Sequence, residues 1–158
     1  MPEKHVTLLF LLRDNEILLA MKKRGFGAGR WNGVGGKIET GESIEDATAR
    51  ECREEIGVKP YRLEKVANII FQFPEEMPDL VAHVYTTSNW EGEPFETEEM
   101  APRWFAFGDI PYSEMWQDDQ YWLPHVLEGK KLHASFAFSK NEEMLTAHNT
   151  IEFVEKAR

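Results

Sequence analysis

Residues 36–58 constrain this chain more than any other stretch. Residues 43–56 are helix formers, Ser43 and Asp46 are spaced as in a capping box, and Gly57 supplies a left-handed stop with Pro60 soon after. On a helical period Glu51, Glu54 and Glu55 are i+3 and i+4 neighbours and share one face, whereas Cys52 and Ile56 turn to another. The apolar edge asks for a sheet to lie on. The acidic face repels itself and destabilises an isolated helix unless something offsets the charge. Hard divalent cations, Mg²⁺ or Mn²⁺, are the natural partners of clustered carboxylates. Near a polyphosphate they neutralise charge and lower the pKa of an attacking water. Arg50 is placed to pair with one glutamate and hold it. An arbitrary E-x-x-E-E helix is more often a solvated acidic face. Here Gly33, Gly35, Gly36 and Gly41, followed by Glu42, lead into the helix, and glycines let backbone groups approach a phosphate or a metal closely.

Around that helix the pattern is that of strands. Residues 6–12 form an apolar run too short for a typical helix and read as a buried strand, residues 13–16 as a turn, and residues 17–21 as the returning strand. Residues 22–36 form a long glycine-rich loop whose Phe26 and Trp31 speak for order. Strand-like stretches follow at 62–73, 80–88, 103–107, 131–139 and 144–154, with a short helix at 121–127. This spacing predicts a mixed sheet with at least two helices, an α+β or α/β sandwich. With 158 residues, 42% apolar and 29% charged, one domain over 1–158 can bury a core.

The net charge of −10 disfavours a nucleic acid polymer as partner, because affinity there comes mostly from Lys and Arg on phosphates. A small phosphorylated ligand held by local groups and bound cations stays open. Cys52 is the one cysteine, so no internal disulfide forms and a reducing compartment, the cytoplasm, is expected. His5, His83, His125, His133 and His148 lack the paired spacing of a zinc site. The first residues do not open a signal peptide. No run approaches the roughly 20 apolar residues that span a bilayer, so no membrane partner is expected. A monomer is the default.

Gly36, five residues, Glu42, seven residues and then Arg50-Glu51-Cys52-Arg53-Glu54-Glu55-Ile56-Gly57-Val58 match the signature of the Nudix hydrolases at every fixed position. Cys52 stands where that family usually has a larger aliphatic. The chain resembles this family, and the resemblance implies an α/β/α sandwich around a mixed β-sheet and cleavage of a nucleoside diphosphate linked to another moiety. It implies that Glu51, Glu54 and Glu55 are metal ligands or the base, that the Gly36 carbonyl is a further ligand, and that Arg50 belongs to the catalytic set. Nearly the whole chain is similar to one branch, the animal enzymes that hydrolyse 8-oxo-dGTP and related oxidised purine nucleoside triphosphates. The similarity runs through residues 21–33, Phe71-Gln72-Phe73, Glu99-Met100 and residues 115–122. It implies that Thr7, Lys22, Asn32, Phe71, Phe73, Trp116, Asp118, Asp119 and Trp122 contact the nucleotide, and that Glu99 is an extra metal ligand or base.

These residue types suit a purine without the family. Phe71 and Phe73 face one side of a strand, Trp116 and Trp122 offer stacking surfaces, and Asn32 carries the donor and acceptor that read a base edge. In Asp118-Asp119, burial and mutual repulsion would raise one pKa. A protonated Asp then donates to a purine oxygen while its ionised neighbour accepts from an N–H. Each residue also has a plainer reading: core for the phenylalanines, a helix N-cap for the aspartates, solvated acids for Glu99 and its neighbour Glu98, and a solvated basic turn for Lys22-Lys23-Arg24. Three departures from the branch stand out. Gln117 replaces a usual Pro, which would loosen the loop carrying the aspartates, and Leu80 and Ala82 replace a larger Met and Val. Two other functions remain open at this point: a Nudix hydrolase for a dinucleoside polyphosphate or ADP-ribose, and a catalytically silent nucleotide-binding module.

Overall fold

The computed structural model describes residues 3–145 and 149–158. Its elements are β1 (Lys4–Arg13), β2 (Glu16–Lys22), β3 (Trp31–Asn32), α1 (Ile44–Ile56), β4 (Lys59–Tyr61), β5 (Glu64–Gln72), β6 (Leu80–Thr87), β7 (Asn89–Glu91), β8 (Met100–Ala106), α2 (Asp119–Leu127), β9 (Lys131–Ala137) and β10 (Thr150–Val154). Eight strands make a mixed sheet in the order β10-β9-β5-β6-β1-β2-β3, with β8 on the other side of β2, and β4 pairs β7 separately. β1 lies parallel to β6 and β5 parallel to β9, while the remaining pairs are antiparallel.

Alternation along β1 and β2 builds two cores, as the two-residue period requires. Leu9, Leu11, Leu18 and Ala20 pack on one face against Cys52 and Ile56 of α1. Phe10, Ile17 and Leu19 point to the other, where Trp122, Leu123 and Val126 of α2 meet them. A helix on each face makes this the α/β/α sandwich. α1 ends where the sequence places its caps. The Ser43 hydroxyl accepts from the Asp46 N–H at 3.0 Å, and Gly57 (φ +74°) closes the helix through its N–H on the Arg53 carbonyl. Fully burying Ile56 under the sheet contributes roughly 1.5–3 kcal/mol.

Several expected boundaries shift. β8 begins at Met100 rather than 103, and the expected strand at 144–154 is regular only over Thr150–Val154, with residues 146–148 outside the described residues. β3, β4 and β7 are two or three residues long, too short to show alternation in a sequence. No helix of the described residues is long and apolar enough to cross a membrane.

β1 and β2 pair only next to their turn, at Leu12–Ile17 and Arg13–Glu16. Beyond that the strands part, and residues 33–37 fill the gap. The Leu9 N–H donates to Val34 at 2.7 Å, the Val34 N–H returns to Leu9 at 3.0 Å, and the Thr7 N–H donates to Gly36 at 2.8 Å. A Cβ on Gly35 would lie 1.8 Å from the Thr7 carbonyl oxygen, so the two backbones touch and no side chain fits. Gly35→Ala is therefore expected to destabilise the protein by at least about 1–3 kcal/mol, as overpacking against immovable backbone does. A urea midpoint equal to that of the parent would show that the contact is not closed in solution.

Candidate active site

The glycine seam lies under the acidic face of α1. The Gly35 N–H donates to Glu55 Oε1 at 2.7 Å, and a Cβ on Gly36 would fall 2.5 Å from the Glu51 carboxylate carbon. The Gly36 carbonyl accepts from the Thr7 N–H at 2.8 Å and, at 3.5 Å, from the Thr7 hydroxyl. Burial pushes the Glu55 carboxyl up to about 8, helped by Glu51 and Glu99 and opposed by the Gly35 N–H and Lys22. Glu51 is also raised, first by burial, against the pull of Arg50.

Arg50 ties the face together. Its Nε and Nη2 grip Glu42 at 2.7 and 3.0 Å, its Nη1 reaches Glu51 at 3.0 Å and Glu54 at 3.2 Å, and Nη2 also donates to the Lys37 carbonyl at 3.0 Å. The forked pair with Glu42 holds that carboxyl below its usual range and the guanidinium above its own. Glu99 arrives from the segment before β8. The Thr97 hydroxyl bonds the Glu55 carbonyl at 2.8 Å and accepts from the Glu99 and Met100 N–H groups, and the Lys23 N–H donates to the Glu99 carbonyl. Arg24 stands 3.7 Å from the Glu99 carboxylate. Carboxylate and carbonyl oxygens are the donors that hard divalent cations take. Among the described residues no three His, Cys, Asp or Glu side chains converge as a formed metal site. Arg50 holds Glu51 and Glu54, and the seam holds Glu55.

Beside this face a cavity of about 190 Å³ is lined by Thr7, Lys22, Asn32, Phe71, Phe73, Trp116, Asp118 and Asp119. Gly33, Gly35 and Gly36 form the wall shared with the glutamates. The Asn32 side-chain oxygen accepts from the Gly33 N–H at 2.8 Å, which leaves its amide N–H groups for the cavity. Asp118 and Asp119 are 0% and 3% exposed. Asp118 stands at the start of α2 yet makes no cap bond; its Oδ2 accepts from the Trp122 indole N–H at 2.7 Å. Asp118 Oδ1 and Asp119 Oδ2 are buried with no hydrogen-bond partner. Burial pushes Asp118 up to about 6, and burial with repulsion from Asp118 drives Asp119 well above the carboxylate range.

Two expectations need correction. Trp122 is no stacking wall. It is fully buried against Phe10 and acts behind the cavity, on Asp118. Gln117 does not loosen its loop, since its side-chain oxygen accepts from the Met144 N–H and Gln120 bonds its carbonyl. Leu80 and Ala82 do line the cavity, as do Phe26, Phe138 and Met100, which sequence reasoning left out of the site. Phe138 continues the inward alternation of Leu132, Ala134 and Phe136, so it looks like core. Elsewhere His5 and His83 come together, Nδ1 to Nε2 at 2.9 Å, and burial beside Lys65 and His5 lowers His83 to about 4.

A sandwich with this glutamate helix and glycine seam defines a class of hydrolase. The NUDIX domain matches residues 1–126, and the chain belongs to the Nudix family. It is 44% identical over 149 residues to the oxidized purine nucleoside triphosphate hydrolase of Danio rerio, covering 94% of this chain and 95% of that one. To the protein of the same name from Mus musculus it is 44% identical over 140 residues, covering 89% and 90%. The MutT protein of Bacillus halodurans superimposes with a TM-score of 0.80 over 95% of this chain and 97% of the other, at 24% identity, a likeness of fold.

The aspartates carry a pH signature. An unfolded Asp ionises near 3.9, so between about pH 4 and the raised folded values the native state binds more protons than the unfolded one. The stabilisation is complete below the unfolded value and is lost as pH rises through the folded ones. Asp119→Asn removes one of these acids, and its stability is expected to fall less than the parent's from about pH 4 to pH 8. Urea midpoints across that range check this; parallel curves would mean that Asp119 titrates like a surface acid.

Proposed function

We propose that this chain hydrolyses oxidised or otherwise modified purine nucleoside triphosphates, of the 8-oxo-dGTP and 2-hydroxy-dATP class, to the monophosphate and pyrophosphate. The observation that carries the reading is the pair of unpartnered carboxylate oxygens, on Asp118 and Asp119, buried in an aromatic cavity. A buried polar atom without a partner is costly, so such a pair is retained where a ligand supplies the missing hydrogen bonds. With one Asp protonated and one ionised, the pair gives one donor and one acceptor, the complement of a purine oxygen beside an N–H. Asn32 adds amide donors, and Phe71, Phe73 and Trp116 add flat walls. The cavity of about 190 Å³ is smaller than the roughly 300–1,000 Å³ of pockets that swallow a whole drug-sized ligand. It suits the base alone, leaving the triphosphate to run past Lys22 and the glycine seam toward α1. The names of the zebrafish and mouse relatives support the same substrate class.

For the chemistry we assign Glu51, Glu54, Glu55, Glu99 and the Gly36 carbonyl to Mg²⁺, which Mn²⁺ can replace. The ion, when bound, neutralises the polyphosphate and acidifies the attacking water. Arg50 is the brace that holds Glu51 against the seam and Glu54 beside it on the same helix face. Water attacks a phosphorus of the chain, a bridging P–O bond breaks to give the monophosphate and pyrophosphate, and the proton passes to one of Glu51, Glu55 or Glu99. The substrate is a small molecule rather than a nucleic acid polymer, and the role is cleansing the nucleotide pool by a cytoplasmic monomer. Leu80 and Ala82 shape the ranking among modified bases, by about 1–3 kcal/mol per methylene-sized change.

Pyrophosphate release with Mg²⁺ from 8-oxo-dGTP, 2-hydroxy-dATP, O6-methyl-dGTP, dGTP, ADP-ribose and diadenosine tetraphosphate tests the reading. A modified purine triphosphate should be preferred over dGTP. Glu55→Gln should lower kcat by about 10²–10⁴. Asp119→Asn should lower kcat/KM for the preferred nucleotide by about 10² or more, because the site is built on a hydrogen bond the amide places wrongly. Equal turnover of dGTP would sink the substrate assignment while sparing the hydrolase, and preference for ADP-ribose or the dinucleotide would replace it.

A further inference from the structure

Base recognition leaves unexplained a cation packed on one wall of the cavity. Arg30, in the loop between β2 and β3, places its guanidinium carbon 4.2 Å from the centroid of the Trp116 ring. Its Nη1 donates to Glu142 Oε1 at 2.7 Å. Both side chains are about two-thirds buried, at 30% and 32% exposure. Glu142 belongs to the turn after β9, which is closed by the Glu142 N–H on the Ser139 carbonyl at 3.1 Å and the Ser139 N–H on the Glu143 carbonyl at 2.9 Å. The Glu142 backbone has φ +61°, a left-handed conformation that glycine adopts freely and a glutamate does not. A strained residue persists where its surroundings use its side chain. Gln117 ties the same turn to the Trp116 loop a second time, through the Met144 N–H. On its other contacts Trp116 meets Phe26 at 5.2 Å and Phe138 at 5.5 Å, and a Cβ on Gly27 would lie 3.3 Å from the indole.

We infer that Arg30 and Glu142 are a positioning pair for the base pocket: Glu142 aims the guanidinium, and the guanidinium fixes the indole of Trp116 as a wall. The turn at 139–144 thereby belongs to the recognition machinery, although none of its residues lines the cavity. Arginine suits the task because its plane stacks on an aromatic ring while its edge pairs with a carboxylate. Lysine has no planar group to stack. The inference rests on the reading of this cavity as a purine site. It locates a determinant of affinity in two loops outside the glutamate helix.

Steady-state kinetics with 8-oxo-dGTP, thermal midpoints and the indole ¹H–¹⁵N signal of Trp116, assigned with Trp116→Phe, test it on Arg30→Met, Glu142→Gly and the double variant. Methionine keeps the length without the charge, and glycine relieves the left-handed backbone while removing the carboxylate. Arg30→Met is expected to raise KM about fivefold with kcat within about twofold, the size of a partly exposed cation–π contact. Glu142→Gly should raise KM by a smaller factor at an equal or higher thermal midpoint, which a merely structural residue would not do. The double variant should be no worse than Arg30→Met, because both changes act through one contact. The Trp116 signal should move in both single variants without nucleotide. An unchanged KM in Arg30→Met, or a lowered midpoint in Glu142→Gly, overturns the inference. If the parent shows no preference for modified purines, it is the purine reading that fails. The ligand-free Trp116 signal then decides the pair alone: moved in both variants it stands, unmoved it falls.

Discussion

Both halves of the site depend on the insertion of residues 33–37 into the gap between β1 and β2. Where those strands part, the N–H groups of Thr7 and Leu9 would be left without acceptors, and buried backbone groups must be paired. The inserted segment pairs them. It does so at contact distance, which is why a Cβ on Gly33 would lie 2.7 Å from the Leu9 carbonyl and one on Gly35 nearer still to that of Thr7. Closing this seam brings the Gly35 N–H onto Glu55 and Gly36 against Glu51. The same residues form a wall of the neighbouring cavity. Helix, seam and pocket are therefore one rigid arrangement, set by backbone contact rather than by side chains that could adjust.

Two groups of acids sit on either side of that seam, and the fold treats them differently. On α1 the repulsion is met by a cation: Arg50 reaches Glu42, Glu51 and Glu54 at once, and only the more deeply buried Glu55 is left to a backbone N–H. At the start of α2 no cation is supplied. Asp118 has an indole N–H, and Asp119 has burial and a like charge beside it. An isolated ionised carboxylate in such a place costs more than taking up a proton. The pair therefore keeps a proton, and that proton makes a hydrogen-bond donor out of a residue that is otherwise only an acceptor. The same chemistry that burdens the ligand-free fold thus equips the pocket to read an oxygen.

How much of this was legible in the sequence follows from how local each signal is. The α1 helix was readable to its caps, because Ser43, Asp46 and Gly57 act within a turn of one another. The two-sided packing followed from strand alternation and an apolar edge at Cys52 and Ile56. The chemistry of the aspartates, Asn32 and the Phe71-Phe73 pair suits a purine, but each alone passes for a cap, a turn or core, and it took the resemblance to join them into one pocket. Trp122 was misread because its reach is helical: four residues after Asp118 it lies back over that carboxylate instead of facing the cavity. Phe138 escaped because it continues the inward alternation of Phe136 and is just as buried, and only its place past the end of β9 sets it against the cavity. The splaying of β1 from β2 has no sequence signal except the glycines that fill it.

Chemistry and selectivity meet in few residues here. The acids of α1 and the segment before β8 face one side of the seam, and the aromatic walls and aspartates face the other. Thr7, Lys22 and Gly33, Gly35 and Gly36 are the ground they share. Leu80, Ala82 and Trp116 line the cavity and hold none of the glutamates, so changes there alter its shape while the acids of α1 keep their own contacts to Arg50 and the seam. Changes in the seam cannot be so confined, since its backbone is a wall for the base and a brace for Glu51 and Glu55 together. A fold divided in this way lets the specificity of a phosphohydrolase drift through its loops while the sheet gap, filled by glycine, keeps the hydrolytic face in register.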